Sequence, residues 1–418
     1  MKILKQKVRA VSATLAERRR LRGPAHLHYA LADSISMLDR SVWQQVAGHM
    51  GFFMSAPYLQ MLESALPANV RPRYALVHGE GENGLQPLAA VYMQIVDVGL
   101  MQAAPPKVSE AATRLPAPVA HMAEKASQRI LACGNMLTFG QHGVAIAVGA
   151  DPQLVWHGVA EVLYRVRQAE KLVGRTQFVM IKDLHGIYTE QTAHLKNLSY
   201  RYVETEPNMV LDLRPEWKSH DDYLASLASK YRSGIKNAAF KPIEEAGCHI
   251  ERLSVDDVIL LQDDLFALYK DVQSNASFRP FELTAAYFGL LLQAAPKNGA
   301  VCSVIRREER LLGFLITIAD GDTAVAYHIG FHRQEAAELP LYLRLLHAGI
   351  ADAIALGCRR ISYGRTALEP KASLGAKPQP FGVMVRHCQP VLNKLMRRVL
   401  TGIEHDDAPQ RNPFKKST

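Results

Sequence analysis

The sequence predicts an α/β protein, because short apolar runs joined by tight turns precede a long amphipathic segment and one further apolar run. The pattern is clearest in the C-terminal half of the chain. Three runs rich in Val, Ile, Phe and Tyr are separated by a charged turn and by an Asp-Gly-Asp turn, which predicts an antiparallel meander. The runs are Ala300–Ile305, Leu311–Ala319 and Thr323–Gly330.

A helix and a returning strand complete this unit. Apolar residues recur at helical spacing between Pro340 and Gly357, which stand where helices begin and end, so a helix is predicted over 340–356. A strand over 359–363 then leads into the sharp corner 364–366. We expect this strand to pair beside the third strand of the meander, which gives one mixed sheet.

The same order of elements occurs once before residue 185, which predicts two similar domains in tandem. A Pro- and Ala-rich stretch at 99–125 is interpreted as an irregular insertion in the first copy. The elements of that copy are the hairpin Arg73–His78 and Leu88–Val98, the strands Leu137–Gly140 and Val144–Val148, the helix Gln153–Lys171 and the strand Gln177–Ile181. The expected division is a basic tail at 1–23, a first domain at 24–213, a second domain at 214–400 and a flexible tail at 401–418.

A helical segment joins the two copies. Between Tyr223 and Gly247, apolar residues form one face and basic residues another. Asp221 or Asp222 stands where an N-cap is expected, and Pro242 is expected to interrupt or kink the helix. The further helices predicted are Val255–Ser274 and Thr284–Ala294.

The net charge of +9 is concentrated at the N-terminus. Met1–Gly23 carries eight basic residues and one acidic residue, so the remaining chain is nearly neutral. A neutral body argues against a broad nucleic-acid-binding face, and no DNA partner is expected. The basic segment also has an apolar stripe, so residues 2–22 are a candidate for peripheral contact with an anionic membrane surface. The alternative is a solvated basic tail.

The remaining composition indicates a cytoplasmic protein. No apolar run is long enough to span a membrane, and no secretory signal precedes a small-residue cleavage site. The five cysteines are odd in number and scattered, without a CxxC pair, which predicts free thiols in a reducing compartment and no metal site.

Several familiar motifs are absent or out of context. The chain contains no HExxH, GxSxG or Walker sequence, so metalloprotease, serine-hydrolase and NTPase activities have no support. Gly79, Gly81 and Gly84 do spell GxGxxG, but a strand-like run follows them and Glu80 and Glu82 would repel phosphate. A dinucleotide fingerprint needs a helix N-terminus at this place, so this segment is interpreted as a hairpin turn.

Three stretches resemble the tandem members of the acyl-CoA N-acyltransferase (GNAT) superfamily, in particular the bacterial Fem-like group related to peptidoglycan biosynthesis. They are "LACGNMLTFGQHGVAI" at 131–146, "YLASLASKYRSGIKNAAF" at 223–240 and "GCRRISYGRTALEPKASLGA" at 357–376. The resemblance covers about residues 40–395. It implies an α/β (α+β) fold of two GNAT-like domains, each a mixed, mostly antiparallel sheet flanked by helices.

The resemblance also implies an activity, which is transfer of an acyl group from a thioester donor to a primary amine by direct attack. The expected donor is acyl-CoA or an acyl carrier protein, and the expected acceptor is a small amine, a lipid or a cell-wall precursor. The start of the long helix, 334–340, departs from the Gly-rich pyrophosphate loop of simple GNATs and carries two glutamates. Two alternatives therefore stay open: a Fem-type ligase that uses aminoacyl-tRNA, and a degenerate, non-catalytic binding module.

Candidate catalytic residues lie on the third strand of the meander and in the corner after the last strand. Tyr327 and His328 are expected to point to opposite faces, with His328 on the side of the small residues Ala324 and Ala326, where an imidazole could act as a general base. Glu369 is a candidate to orient the amine or accept its proton.

Candidate binding residues surround these positions. Arg365 and Lys371 in the corner are expected to bind an anionic part of the donor, and so are three basic residues of the joining helix. Tyr363 and two residues of the turn before 281 are expected to contact the acceptor. The helix residues are Lys230, Arg232 and Lys236, and the turn residues are Asn275 and Arg279.

Overall fold

The computed structural model describes residues 16–99, 127–274, 281–394, 409 and 411–415. It divides into two compact units. Unit 1 comprises Met1–His49, Ala68–Thr205 and Pro380–His405, and unit 2 comprises Met50–Pro67, Glu206–Gln379 and Asp406–Thr418. The expected division placed 50–67 in the first domain and 380–400 in the second. In the structure, 50–67 belongs to unit 2 and 380–400 belongs to unit 1.

Unit 1 is built on a mixed sheet with strand order β1-β2-β3-β4-β6-β13, and β5 pairs with β3. Its strands are β1 (His28–Ala32), β2 (Val70–Gly81), β3 (Gly84–Gly99), β4 (Ser127–Cys133), β5 (Val144–Ile146), β6 (Phe178–Leu184) and the last part of β13 (Lys377–His387). Its helices are α1 (Arg40–Ala47), α3 (Pro152–Ala169) and α4 (Ile187–Gln191). Apolar residues of α3 such as Val159 and Leu163 pack against the sheet.

Unit 2 repeats this plan with strand order β7-β12-β11-β10-β9-β8. Its strands are β7 (Arg201–Asp212, from residue 206), β8 (Cys248–Leu253), β9 (Ala300–Arg307), β10 (Arg310–Asp320), β11 (Thr323–Phe331) and β12 (Arg360–Ser362). Its helices are α2 (Ala56–Ala65), α5 (His220–Ser226), α6 (Ser229–Ile235), α7 (Lys241–Glu245), α8 (Val255–Leu260), α9 (Gln262–Gln273), α10 (Tyr287–Ala294), α11 (Leu341–Ala355) and α12 (Leu368–Ser373).

The closing strands of the two units are exchanged along the chain. β7 follows the helices of unit 1 in sequence but pairs with β12 of unit 2, where Leu211 lies opposite Ile361. β13 follows the helices of unit 2 but pairs with β6 of unit 1, where Val385 lies opposite Met180. Each unit therefore needs a strand from the other half of the sequence.

The predicted meander, the long helix α11 and the returning strand β12 are confirmed, and so is the β2–β3 hairpin around Gly81 and Gly84. The strand predicted over 137–140 is wrong: these residues form turns, and the strand is β4 at 127–133. Ser, Gln and Arg begin β4 directly after the Pro- and Ala-rich stretch, so its apolar alternation is short and easily missed.

The joining helix is divided in two. The N-cap of α5 is Ser219, not Asp221 or Asp222 as predicted. Its side chain accepts from the Asp222 backbone N–H, and the Asp222 carboxylate accepts from the Ser219 backbone N–H, which makes a capping box. The first helix ends at Ser226, and Leu227 is extended. The second helix, α6, continues into a π-helical turn at 236–240 just before Pro242. Proline lacks the N–H that an α-helix needs and clashes with the preceding turn, which explains this irregular turn.

The C-terminal residues 411–415 are docked onto unit 2, contrary to the expected flexible tail. Ala228 N–H donates to the Pro413 carbonyl at 2.9 Å, and the ring of Phe414 lies 5.7 Å from that of Trp217. Phe414 also packs against Gly375, where a Cβ would come within 2.5 Å of the ring, so only glycine fits there.

Two further expectations concern membranes and thiols. None of the described helices is both long and apolar enough to cross a bilayer. Residues 16–22 of the basic segment are helical, and the part before residue 16 lies outside the described residues. All five cysteines are free, as predicted.

Candidate functional site

The sheet of unit 2 opens between β11 and β12. The two strands pair in parallel only over 323–325 and 360–362. β11 then continues along β10 to Phe331, whereas the chain after β12 follows β7, with Tyr363 N–H donating to the Met209 carbonyl at 2.9 Å. From residue 326 onward, the edge of β11 that faces β12 pairs with no strand in the described part of the chain. An unpaired edge offers backbone donors and acceptors to an extended ligand.

A β-bulge interrupts β11 next to this opening. Opposite β10, the pair of His328 and Ile316 is followed by the pair of Ala326 and Thr317, so Tyr327 is an additional residue. An additional residue breaks the two-residue alternation of side chains. The faces of β11 are therefore reversed on the two sides of Tyr327.

As a consequence, Tyr327 and His328 lie on the same face of the sheet. Their ring centroids are 4.1 Å apart, and both side chains contact Tyr287 of α10. Ala324 packs instead with residues of α11. Two predictions are therefore wrong, namely that these two side chains point to opposite faces and that His328 shares the face of Ala324 and Ala326. Both assumed strict two-residue alternation, and a bulge cannot be predicted from that pattern.

Aromatic rings enclose His328. The rings of Tyr269, Tyr287 and Phe288 lie edge-on at 5.8, 5.4 and 5.5 Å from the imidazole. Burial lowers the pKa of His328 to about 3, so the imidazole is neutral at physiological pH. Its Nε2 atom is buried and has no hydrogen-bond partner among the described residues. A buried acceptor without a partner is costly and marks a place that a polar ligand atom can use.

Three tyrosine hydroxyls meet beside His328. The Tyr327 oxygen lies 2.9 Å from that of Tyr287 and 3.4 Å from that of Tyr58. Burial, with the neighbouring hydroxyls, raises the pKa of Tyr327 well above 10. The hydroxyl therefore stays protonated and can act as a hydrogen-bond donor.

The corner after β12 is held by a buried lysine. The Lys371 ammonium donates to the carbonyls of Gly364 at 3.2 Å, Thr366 at 2.8 Å and Arg365. These bonds use all three of its donors. Thr366 and Ala367 both lie in the left-handed region, with φ of 48° and 47°, so the lysine stabilises a strained turn. Burial lowers the pKa of Lys371 to about 8.

Arg365 is held at this corner with its guanidinium mostly withdrawn from water. That burial lowers its pKa to about 10, and it still carries its charge at neutral pH. A cation in such a place interacts more strongly with an anion than a solvated one does.

The other two residues predicted for this corner, Tyr363 and Glu369, do not contact Arg365 or Lys371 through the side-chain bonds that they form. The Tyr363 hydroxyl donates to the Leu346 carbonyl of α11 at 3.0 Å, and the ring belongs to the core. Glu369 is half exposed and forms an ion pair with Arg411 of the docked C-terminus. The corner thus brings Arg365 and Lys371 together but directs Tyr363 inward.

The basic residues of the joining helix are on its outer side. Lys230 and Lys236 are exposed and Arg232 is half-buried. Asn275 and Arg279 lie outside the described residues. At the start of α11, Glu335 accepts from Arg307 and Arg310 at 3.1 and 2.7 Å, so the charge of one of the two glutamates in 334–340 is neutralised.

Sequence reasoning missed a second buried group, on the side of α11 that faces α5. His220 and His347 are hydrogen-bonded at 3.1 Å between Nε2 and Nδ1. Burial, assisted by the charge of Arg344, lowers the pKa of His220 to about 4, and burial lowers that of His347 well below 6.5. Arg344 stacks on Phe240 of the π-helical turn at 4.5 Å. No local pattern links residues 127 positions apart, so only the fold reveals this pair.

Comparisons with known proteins agree with this architecture. Residues 229–372 match the family model described as an acetyltransferase (GNAT) domain. The structure of FemX is similar at a TM-score of 0.52 and 10% identity, covering 86% of this chain and 98% of FemX. At that identity the likeness concerns the fold.

Other solved structures are similar at lower scores. A tandem GNAT protein from the clavulanic acid biosynthesis pathway has a TM-score of 0.49 and 10% identity, covering 87% of this chain and 99% of that chain. A GCN5-related N-acetyltransferase from Sphaerobacter thermophilus has a TM-score of 0.42 and 11% identity, covering 87% and 96%. A search of curated proteins gave no significant match. Residues 229–372 thus match a GNAT acetyltransferase domain, and the chain as a whole has a fold similar to that of FemX.

Proposed function

We propose that unit 2 transfers an acyl group from a thioester donor to a primary amine by direct attack. The observation that carries the proposal is the separation of β11 from β12 after residues 325 and 362. An extended, amide-containing donor arm can add along the free edge of β11 through backbone hydrogen bonds. Acyl-CoA and acyl carrier proteins present the acyl group on the same kind of arm, so both fit this opening.

In this proposal, the corner binds the anionic part of the donor. Arg365 is charged and mostly buried, and its planar guanidinium suits a phosphate or carboxylate oxygen pair. Lys371 acts on the corner backbone and is a positioning residue. Lys230, Arg232 and Lys236 are candidates for further phosphate contacts from the surface of the joining helix.

The side chains of β11 would handle the amine and the developing charge. The new C–N bond forms as the C–S bond breaks, so the amine loses one proton and the leaving thiolate gains one. With a pKa of about 3, His328 is a weak base, and its role would be to accept a hydrogen bond that orients the neutral amine. Tyr327, which stays protonated, would donate to the developing negative charge. Glu369 is exposed and suits final release of the proton.

Hydrogen–deuterium exchange with a non-reactive thioether analogue of acyl-CoA tests the binding mode. We expect slower exchange in 326–331 and 363–366, because the ligand would cover the free edge and the corner. Slower exchange confined to other segments would remove the basis of the proposal. An intact-mass screen of acyl donors against amines, including amine-bearing lipids and cell-wall precursors, would then identify the reaction.

Aminoacyl-tRNA is a second candidate donor. The segment 334–340 before α11 has no glycine, which favours a donor that does not place a pyrophosphate there. This alternative follows the resemblance to Fem-type ligases. It predicts that product formation requires charged tRNA and is abolished by RNase, whereas transfer from acyl-CoA or an acyl carrier protein is unaffected by RNase.

A further inference from the structure

Unit 1 contains a cavity with three arginines in its wall. It encloses about 220 Å³ between the end of the N-terminal helical segment, the second half of α3, β6 and β13. The arginines are Arg22, Arg167 and Arg386, which come from three separate elements. Convergence of like charges costs energy unless an anion is shared between them.

None of the three guanidinium groups forms a hydrogen bond or ion pair with another residue in the described ranges. Glu161 also lines the cavity, but its carboxylate is fully engaged. It accepts from the Ala25 backbone at 2.8 Å, the Tyr29 hydroxyl at 2.9 Å and the Arg165 guanidinium at 2.7 Å. Among the residues that the structure describes, no acidic group is left to offset the positive charge of this cavity.

The rest of the wall is apolar and aromatic. The Arg386 guanidinium lies 5.9 Å from the centre of the Tyr200 ring, and that of Arg167 lies 5.4 Å from the centre of the Tyr164 ring. Leu163 is among the aliphatic side chains of the lining. Cation–ring contacts fix the planes of the guanidinium groups and limit the entropy lost when they bind an anion.

The size of the cavity restricts its ligand. At about 30 Å³ per water molecule, it holds the equivalent of roughly seven waters, which is below the range for drug-sized ligands. A doubly charged phosphate with a short substituent suits this volume. We propose that this cavity binds a phosphate monoester that carries an apolar or aromatic group. The inference is independent of acyl transfer in unit 2.

Titration calorimetry of the full-length protein with phenyl phosphate tests the proposal. We expect phenyl phosphate to bind more tightly than inorganic phosphate, because the ring adds apolar contacts. Arg386→Gln and Arg167→Gln should each weaken binding about 10- to 100-fold, as expected for loss of a charge-assisted hydrogen bond. Arg175→Gln is the matched control, since Arg175 is exposed in unit 1 and does not line the cavity.

Three results would overturn the proposal: no binding at millimolar phenyl phosphate, equal affinity for inorganic phosphate, or equal weakening by Arg175→Gln. A competition arm identifies the source of the ligand. Displacement by phosphatidylcholine vesicles containing phosphatidic acid would support a lipid headgroup. Binding that such vesicles leave unchanged would support a soluble monoester.

Discussion

The two units use the same topology but treat the end of the parallel strand pair differently. In unit 1, β4 and β6 pair in parallel over 130–133 and 178–181. Beyond that point, the Lys182 ammonium donates to the Thr138 carbonyl at 2.6 Å and to Asp183, and Gly140 N–H donates to the Asp183 carboxylate at 3.0 Å. These bonds fasten the loop after β4 to the chain after β6.

In unit 2, the buried lysine near the end of the parallel pair is Lys371 of α12, and its bonds differ from those of Lys182. The three donors of Lys371 are all used by carbonyls of its own corner, and the edge of β11 stays unpaired within the described residues. The comparison teaches that topology decides where an opening can form, and that the hydrogen bonds of a nearby buried lysine decide whether the opening is filled. It supports placing acyl transfer in unit 2.

Replacement of the two lysines by methionine should separate their roles. Lys182→Met leaves the buried Asp183 without its cation, and we expect a loss of about 3–5 kcal/mol in the free energy of unfolding. Turnover per folded molecule should not change. Lys371→Met should lower turnover, because the corner loses three hydrogen bonds. Urea unfolding and activity assays measure both effects.

The double variant Lys182→Met/Asp183→Asn is the control for the first lysine. Asparagine tolerates the left-handed conformation of Asp183, whose φ is 55°, so the double variant should be more stable than Lys182→Met alone. Loss of turnover in both single lysine variants would contradict the assigned difference between the units.

Arg365→Ala should reduce kcat/KM by about 100- to 1000-fold without unfolding the protein, because it removes a preorganised cation from the proposed donor site. Arg365→Lys should restore part of the activity, since it keeps the charge but not the planar fork. Arg360→Ala is the matched control: Arg360 lies on β12 and forms an exposed ion pair with Asp322. Equal losses in the Arg360 and Arg365 variants would argue against the corner.

Acid should destabilise unit 2 through its buried histidines. The pKa values of His220 and His328 are about 4 and about 3 in the folded protein, below the unfolded value near 6.5. Below pH 6.5 the unfolded chain binds protons that the folded chain does not. Stability is therefore complete above that pH and falls as pH falls towards 4, by about 1.4 kcal/mol per pH unit for each histidine.

His328→Gln should reduce this pH slope by the contribution of one proton, whereas His249→Gln should not, because His249 is exposed. Urea unfolding at several pH values between 7.5 and 5 measures the slope. An unchanged slope in His328→Gln would mean that the imidazole is protonated or solvated in the folded state.

Tyr327→Phe should have the smallest effect. It removes hydroxyl contacts with Tyr287 and Tyr58 and should cost about 1 kcal/mol of stability. If the hydroxyl donates to the developing charge, kcat falls while KM is retained. Tyr269→Phe, in the same aromatic enclosure, is the control and should leave kcat unchanged.

Much of this fold follows from local patterns. The meander and α11 are predictable because their apolar periods are uninterrupted, and the Gly364 corner is marked by its glycine. The bulge at Tyr327 is not, because it depends on the pairing with β10. The His220–His347 pair and the exchange of β7 and β13 depend on contacts between distant parts of the chain, which no window of sequence contains.

The exchange of β7 and β13 has a consequence for biosynthesis. β6 pairs with β4 early, but it gains its second partner, β13, only when residues 380–387 have left the ribosome, so the sheet of the first unit waits for nearly the whole polypeptide. Domains commonly fold in order of synthesis, but here the first unit is completed only when most of the second has been made. A nascent chain halted near residue 213 would expose an unfinished sheet edge, which makes chaperone protection most valuable during translation of the second half.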